Sequence, residues 1–562
     1  MTGSVEAVPP VRMRTVQPKG ESIRQVVSTA NSPLFSKPLN TGKKLRGFVD
    51  MHTHPMSHLG FGGKVVHGAP GVDVLMPAGA IYDMRGIGLR GSTCNEKPQR
   101  AGSVAEALGS CYSSHAGHDY INNKCGNHAR RLVLNGFEDG EKTNKAHDES
   151  HPPGYPVFTR WPRHDDILHQ QMWVDWIRRA YEGGLRVMVS LAVNNYTLAT
   201  GIEANDPKTD KASGDLQIDE LPRFVNQHSW MQIARSPVEL REIVGKQDKL
   251  AIIVGVELDD MGDFVRERVN PSPQAVRSEI QRLYRKGVRY IFPIHVTDNY
   301  IGGAAVYTDE FNRANCYQYG SWWRLECSAG NSGIRHQVQA GWDVFKTLKL
   351  GNCGGTAPVP LCATGHQNSR GLTPLGYAAI DEMMRLGMII DIDHASQKSV
   401  DDIIRHTRRY RYPLVSGHNG LRGSGAHSHS ENSRTSAQYR ELAARGSIAG
   451  VGWGGSDASG WVQSLKAVKA TGIPLALGSD INGLVDGSGP EDLSARRKLV
   501  QRADCGRRVV AVPLNSRVSS SVLGVWGTYG SNSCASSLRS GEAMNCLGEW
   551  PSSCRNTRWH CE

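Results

Sequence analysis

One pattern recurs through the middle of the chain. A stretch with apolar residues at helical spacing is followed by a glycine, then by a short run, apolar throughout, that ends in a polar residue. Between Ser272 and His295, Ser272 can cap a helix with Pro273 at its first position. Val276, Ile280 and Leu283 share one face, Gly287 can close the helix, and Val288–His295 reads as a buried strand. Thr373 and Pro374 open a second copy, with Ala379, Ile380, Met383 and Met384 inward, Gly387 at its end and Met388–His394 as strand. A third helix, before Gly184, turns Trp173, Trp176, Ile177 and Ala180 inward and leads into Leu185–Val193. Such runs predict eight strands: Gly47–His52, Leu185–Val193, Leu250–Glu257, Val288–His295, Met388–His394, Pro413–His418, Ser447–Trp453 and Ile473–Asp480. Strands of this kind, alternating with helices, indicate a parallel sheet buried on both faces. Eight of them suggest an α/β fold, a (β/α)8 barrel of TIM type. An open doubly wound sheet is the alternative that the pattern leaves.

Two insertions, at about residues 55–165 and 300–370, interrupt the series and hold Gly- and Cys-rich stretches. Both would emerge where barrel enzymes build substrate sites. The chain thus divides into a basic extension (1–45), the barrel (46–495) and a Ser/Cys-rich tail (496–562). The tail shows no sustained helical period, and reads either as a genuine extension or as out-of-frame translation.

Composition narrows the function classes. The 562 residues are 39% hydrophobic and 21% charged, which suits a globular chain and not a disordered one. No run of about 18 apolar residues occurs, so no membrane span is expected. The net charge of +11 sits at the ends: residues 1–48 carry +6 and residues 501–562 carry +3. Solvated basic tails explain this better than nucleic-acid binding, which is not expected. The twelve cysteines form no CxxC pair, which argues against a zinc ribbon. Their clustering in loop-like stretches favours disulfides and a secreted or extracytoplasmic setting, although no signal peptide is visible in the chain; free thiols in a cytosolic enzyme are the alternative. On the exported reading, at least one disulfide joins two of Cys316, Cys327, Cys353 and Cys362.

The chemistry lies at the strand ends. The first strand ends Asp50-Met51-His52-Thr53-His54; others end at Glu257, His295, His394, His418 and Asp480. In a barrel these side chains converge on one face. His52 and His54, two apart on a strand, point to the same side. Five histidines and two carboxylates buried together would be costly without a cation, so a metal is expected. His58, His67, His115 and His118 in the first insertion either line the pocket or are plain loop residues. Trp322 and Trp323 in the second are either a substrate platform or loop packing.

The His-x-His of the first strand resembles the amidohydrolase superfamily of metal-dependent hydrolases. Other segments resemble its membrane (renal) dipeptidase branch: "AIIVGVE", "LYRKGVRYIFPIH", "LTPLGYAAIDEMMRLGMIIDIDHAS", "PLVSGHNG" and "PLALGSDINGL". They span residues 46–485 with the two insertions unmatched. The resemblance implies two zinc ions per chain. His52 and His54 would hold one, His394 and His418 the other, and Glu257 would bridge them. Asp480 would orient a metal-bridging hydroxide and take its proton, His295 would polarise the scissile carbonyl, and Arg434 would meet the substrate.

Two departures stand out. The dipeptidase branch has His-x-Asp on the first strand, and here it is His-x-His, which leaves the site one charge more positive and puts preference for a dipeptide in doubt. The closing helices expected after Asp480 are replaced by the tail. The function implied is hydrolysis of an amide bond in a small peptide-like substrate. An ester or lactone hydrolase on the same site is one alternative. A non-catalytic, metal-stabilised binding protein is the other, though such a protein has no need of the proton shuttle Asp480.

Overall fold

All eight apolar runs contribute strands to one parallel sheet. A computed structural model describes residues 45, 47–83, 93–108, 156, 168–202, 205–339, 356–425, 428–452 and 458–484, apart from the side chains of 82–83, 93–94 and 458–459. His115, His118, Cys111, Cys125, Cys353 and the tail lie outside the described residues. The strands are β1 (Phe48–Thr53), β2 (Leu185–Asn194), β3 (Leu250–Leu258), β4 (Tyr290–Phe292), β5 (Ile389–Ile390), β6 (Val415–Asn419), β7 (Ile448–Gly452) and β8 (Leu475–Gly478). Their order is β5-β4-β3-β2-β1-β8-β7-β6. A parallel bridge between Asp391 and Val415 joins the two ends, and the Ile392 N–H donates to the Val415 carbonyl at 2.9 Å. The sheet is therefore a barrel and not an open doubly wound sheet.

Local sequence explains the elements. The helix Pro273–Arg285 starts where the Ser272 side chain accepts from the Ala275 N–H, with Pro273 in its first turn. Thr373 and Pro374 do the same for Pro374–Leu386, which ends at Gly387 in a left-handed conformation (φ 68°). Ile177 of the helix Val174–Glu182 and Trp173, which precedes it, are buried, with Trp176 and Ala180 packed on the same core. Val49, Val189, Ile253, Phe292, Ile389, Val415, Ile448 and Ala476, one from each strand, belong to one apolar cluster, as a filled barrel requires. A short strand that the sequence pattern does not announce, Met231–Ile233, adds to the edge of β3.

The second insertion contains a helix, Asp309–Tyr319, and a two-stranded ribbon, Leu325–Cys327 with His366–Asn368. The Cys327–Cys362 disulfide ties it, with Cα atoms 5.4 Å apart. Cys316 is also disulfide-bonded. Trp323 packs with Val306 and Val338, and Arg313 lies over the Trp322 ring. Trp323 thus serves loop packing.

The pairing of β6 with β7 is irregular between Ser416 and Asn419, the stretch that carries His418. The barrel makes room for it with glycine. A Cβ on Gly450 would lie 1.8 Å from the Gly417 carbonyl oxygen, and one on Gly478 2.1 Å from the same atom. Gly450→Ala should therefore lower the unfolding free energy by at least about 1–3 kcal/mol, the cost of overpacking. Gly330→Ala, with nothing within 4 Å, should stay within about 0.5 kcal/mol. Urea unfolding of the two variants tests this; equal midpoints would refute the close approach.

Candidate metal centre

The seven residues singled out at strand ends come together at the C-terminal mouth of the barrel. Glu257 lies on β3, His52 on β1 and His418 on β6. His54, His295, His394 and Asp480 follow just after β1, β4, β5 and β8. His394 (φ 62°) and Asp480 (φ 52°) both adopt the left-handed backbone that non-glycine residues rarely take. That turn bends each chain out of its ladder and sends the side chain inward; such strain is kept where the surroundings fix it.

Glu257 is the centre of the cluster. Its Oε2 lies 3.0 Å from His52 Nε2 and 3.3 Å from His54 Nε2. Its Oε1 lies 3.0 Å from His394 Nε2 and 3.7 Å from His295 Nε2. Asp480 Oδ1 is 3.4 Å from both His52 and His54 Nε2. His394 and His418 face each other Nε2 to Nε2 at 2.8 Å. Among the described residues, four sets gather ligand atoms within 4.8 Å: His52, His54 and Asp480; His52, Glu257 and His418; Glu257, His295 and His394; and, behind these, Asp391, Asp393 and His418.

Charge balance shows what these residues fit. Burial alone would raise the Glu257 carboxyl, but the surrounding histidines, His52 foremost, hold it well below the usual range. Burial lowers His52 and His394 to about 4. Against the same burial, Asp480 and Glu257 push His54 up to about 9, and Asp393 pushes His418 up to about 10. Of these four imidazoles, two keep a proton and two refuse one. Divalent cations would supply the positive charge that those protons now carry. His54 Nε2 and Glu257 Oε1 are buried and make no hydrogen bond, as expected of ligand atoms. Donors of nitrogen and carboxylate oxygen suit zinc.

The outer nitrogens are also arranged. His54 Nδ1 faces the Leu191 carbonyl at 3.2 Å, and His394 Nδ1 meets the Tyr307 hydroxyl at 2.9 Å. His295 Nδ1 faces Asp259 at 3.3 Å, and His418 Nδ1 faces Asp393 at 3.4 Å. Partners of this kind fix which ring nitrogen is free to bind a metal. Sequence reasoning passed over Asp259, Asp393 and Tyr307. The first two were visible beside the ligands in "GVELDD" and "DIDH"; Tyr307 comes from the insertion and carries no local signal.

Arg434 is fully buried. Its Nε and Nη2 donate to the Asn432 carbonyl, and Nε lies 3.8 Å from Asp393. It therefore stands behind His418, linked through Asp393, with Nη1 making no hydrogen bond. His58 is a core residue: it is 1% exposed, and its Nε2–H donates to the Leu75 carbonyl at 2.9 Å. His67 is buried as well.

Residues 355–453 match the profile of the membrane dipeptidase family, peptidase family M19. The chain resembles the membrane dipeptidases. The matched span carries His394, His418 and Arg434, and marks the chain as a metal-dependent, dipeptidase-like enzyme. Similar solved structures include the dipeptidase AC, a metallopeptidase of family M19, with 12% identity over 71% of this chain and 96% of that one, at a TM-score of 0.39. An amidohydrolase from Pseudomonas aeruginosa shows 14% identity over 63% and 85%, at 0.34. A metallopeptidase from Rhodobacter sphaeroides, liganded with a phosphinate mimic of L-Ala-D-Ala, shows 12% identity over 71% and 97%, at 0.39.

Two measurements test this electrostatic layout of the dipeptidase-like chain. Asp393 accepts from the His418 N–H at 3.0 Å and from Ser416 Oγ at 2.6 Å, and it is fully buried. Asp393→Asn should cost about 3 kcal/mol or more, as for one partner removed from a buried pair. Asp381→Asn breaks the part-exposed pair with His406 and should cost at most about 1 kcal/mol; similar losses would refute the contrast. His58 is lowered by burial to about 4, so between pH 6.5 and 4 the unfolded chain holds a proton that the fold refuses. Its contribution is present above pH 6.5 and is lost as pH falls through 4, up to about 3 kcal/mol. His58→Gln can still donate to Leu75 and does not titrate. It should lose less stability than the parent over that range, and a pH-independent difference would overturn the assignment.

Proposed function

We propose that the chain hydrolyses an amide bond in a small peptide-like substrate, using two divalent ions, most simply zinc. His52 and His54 would hold one, His394 and His418 the other, with Glu257 shared. The observation that carries this reading is Glu257 itself: its Oε2 faces His52 and His54, and its Oε1 faces His394, which in turn meets His418, an arrangement that suits a shared ligand. Bound divalent ions would supply an ionised water near neutral pH and polarise the substrate carbonyl.

The remaining roles fall to the chain's own side chains. Burial opposes ionisation of Asp480, yet the neighbouring histidines, His52 first, bring it down to about 2. It is therefore a carboxylate at working pH, placed to take a proton from the attacking water and pass it to the leaving amine. Burial would lower His295, but Glu257 and Asp259 raise it. With Nδ1 turned to Asp259, its Nε2 can donate to the carbonyl oxygen as charge develops there. Arg434, buried behind His418, would act through Asp393. The Cys327–Cys362 disulfide supports a secreted or extracytoplasmic setting.

Elemental analysis should find close to two zinc ions per chain. Asp480→Asn removes the base while Asn tolerates the left-handed backbone. It should keep fold and metal and lower turnover of a dipeptide by about 10²–10⁴-fold. Glu257→Gln should lose metal more than Asp480→Asn does. Turnover by Asp480→Asn at the parent rate, with metal retained, would overturn the mechanism.

A further inference from the structure

His394 holds its left-handed backbone because the start of the second insertion is laid against it as a strap. The Ala305 N–H donates to the His394 carbonyl at 2.7 Å, and the Ser396 N–H to the Gly303 carbonyl at 2.8 Å. Ala304 and Ala395 form an antiparallel bridge. From the other side, Asn432 Oδ1 accepts the His394 N–H at 2.8 Å. The buried Glu431 carboxylate ties the pieces together, accepting from the N–H groups of Val306 (2.8 Å), Asn368 (2.9 Å) and Gln397 (2.7 Å). The strap ends at Tyr307. Its hydroxyl is 2.9 Å from His394 Nδ1, and its ring packs edge-on to Phe311 with centroids 5.2 Å apart.

Chemistry fixes the direction of that hydrogen bond. His394 Nε2 faces Glu257 Oε1 at 3.0 Å and His418 Nε2 at 2.8 Å. A ligand nitrogen must carry a lone pair, so the single hydrogen of a neutral His394 sits on Nδ1. Nδ1–H then donates, and the Tyr307 oxygen accepts.

We propose that Tyr307 is a positioning residue of the metal centre: by accepting the His394 Nδ1–H, it fixes the tautomer and ring angle that leave Nε2 free for a metal ion. The second insertion is then part of the metal-binding apparatus. This rests on the reading of His394 as a ligand, and the test separates the two.

Tyr307→Phe keeps the ring and its packing on Phe311 and removes only the acceptor. Zinc would be titrated into the metal-free full chain against a chromophoric chelator, for the parent, Tyr307→Phe and His394→Ala. One of the two zinc ions should bind about 10–100-fold more weakly in Tyr307→Phe, the usual cost of a lost outer partner, while the other is unchanged. His394→Ala should lose the same ion. A merely structural tyrosine would lower the melting temperature and leave both zinc affinities at parent values. Parent affinities in Tyr307→Phe, with one ion lost in His394→Ala, would overturn the role of Tyr307 and leave the ligand reading standing. Parent affinities in both variants would overturn the ligand reading, and the inference with it.

Discussion

The carboxylate of Glu257, buried among imidazoles, is the interaction on which the rest of the site depends. An unpaired charge at that depth costs several kcal/mol. Glu257 escapes the cost because His52, His54, His295 and His394 are within 3.7 Å of it. Those rings cannot all be charged. Burial and mutual repulsion leave His52 and His394 neutral near pH 7, while Asp480 and Asp393 keep protons on His54 and His418. The cluster thus tolerates a definite amount of positive charge in definite places, which is the electrostatic requirement for receiving cations.

Meeting that requirement constrains the backbone. Side chains from six strands must reach one point, yet strands hold their side chains at fixed spacing. The chain solves this by leaving the ladder early. β4 and β5 pair over three and two residues, Tyr290–Phe292 and Ile389–Ile390, and the residues after them turn inward. The left-handed bends at His394 and Asp480 and the bare Cα positions of Gly450 and Gly478 beside the Gly417 carbonyl belong to the same solution. The site is built at some expense to regular sheet structure, at the barrel mouth where stability is least invested.

The barrel was legible because its strands are apolar throughout and its helices carry strong punctuation. Ser272, Thr373 and Gly387 each do in the structure what their residue types suggest. The sequence runs Val288–His295 and Met388–His394 overstated the paired length of β4 and β5, because hydrophobicity reports burial and not ladder hydrogen bonds. Pro293, which has no N–H to donate, was a visible sign that the fourth ladder ends there. The seven inward-facing candidates could be found because each stands at a strand end. Asp259 and Asp393 stood in view beside the ligands but were passed over, because a polar residue next to a presumed ligand looks like the start of a loop. Tyr307 and Glu431 could not be read at all, since their meaning comes from contacts with residues 87 and 63 positions away.

The two insertions have different relations to the metal centre. In the first, His58 belongs to the core, where its Nε2–H donates a hydrogen bond to the Leu75 carbonyl. Arg100 of the same insertion is paired with Glu220 on a barrel helix, so this segment is packed as structure. The second is pinned by the Cys327–Cys362 disulfide and by Glu431, and it reaches His394 through Tyr307. The outer partner of His54, by contrast, is the Leu191 carbonyl on β2. One half of the centre is therefore oriented by the barrel alone, and the other by the barrel and an insertion together. A change in the second insertion would then reach the His394 side through Tyr307 and leave the contacts of His52 and His54 in place.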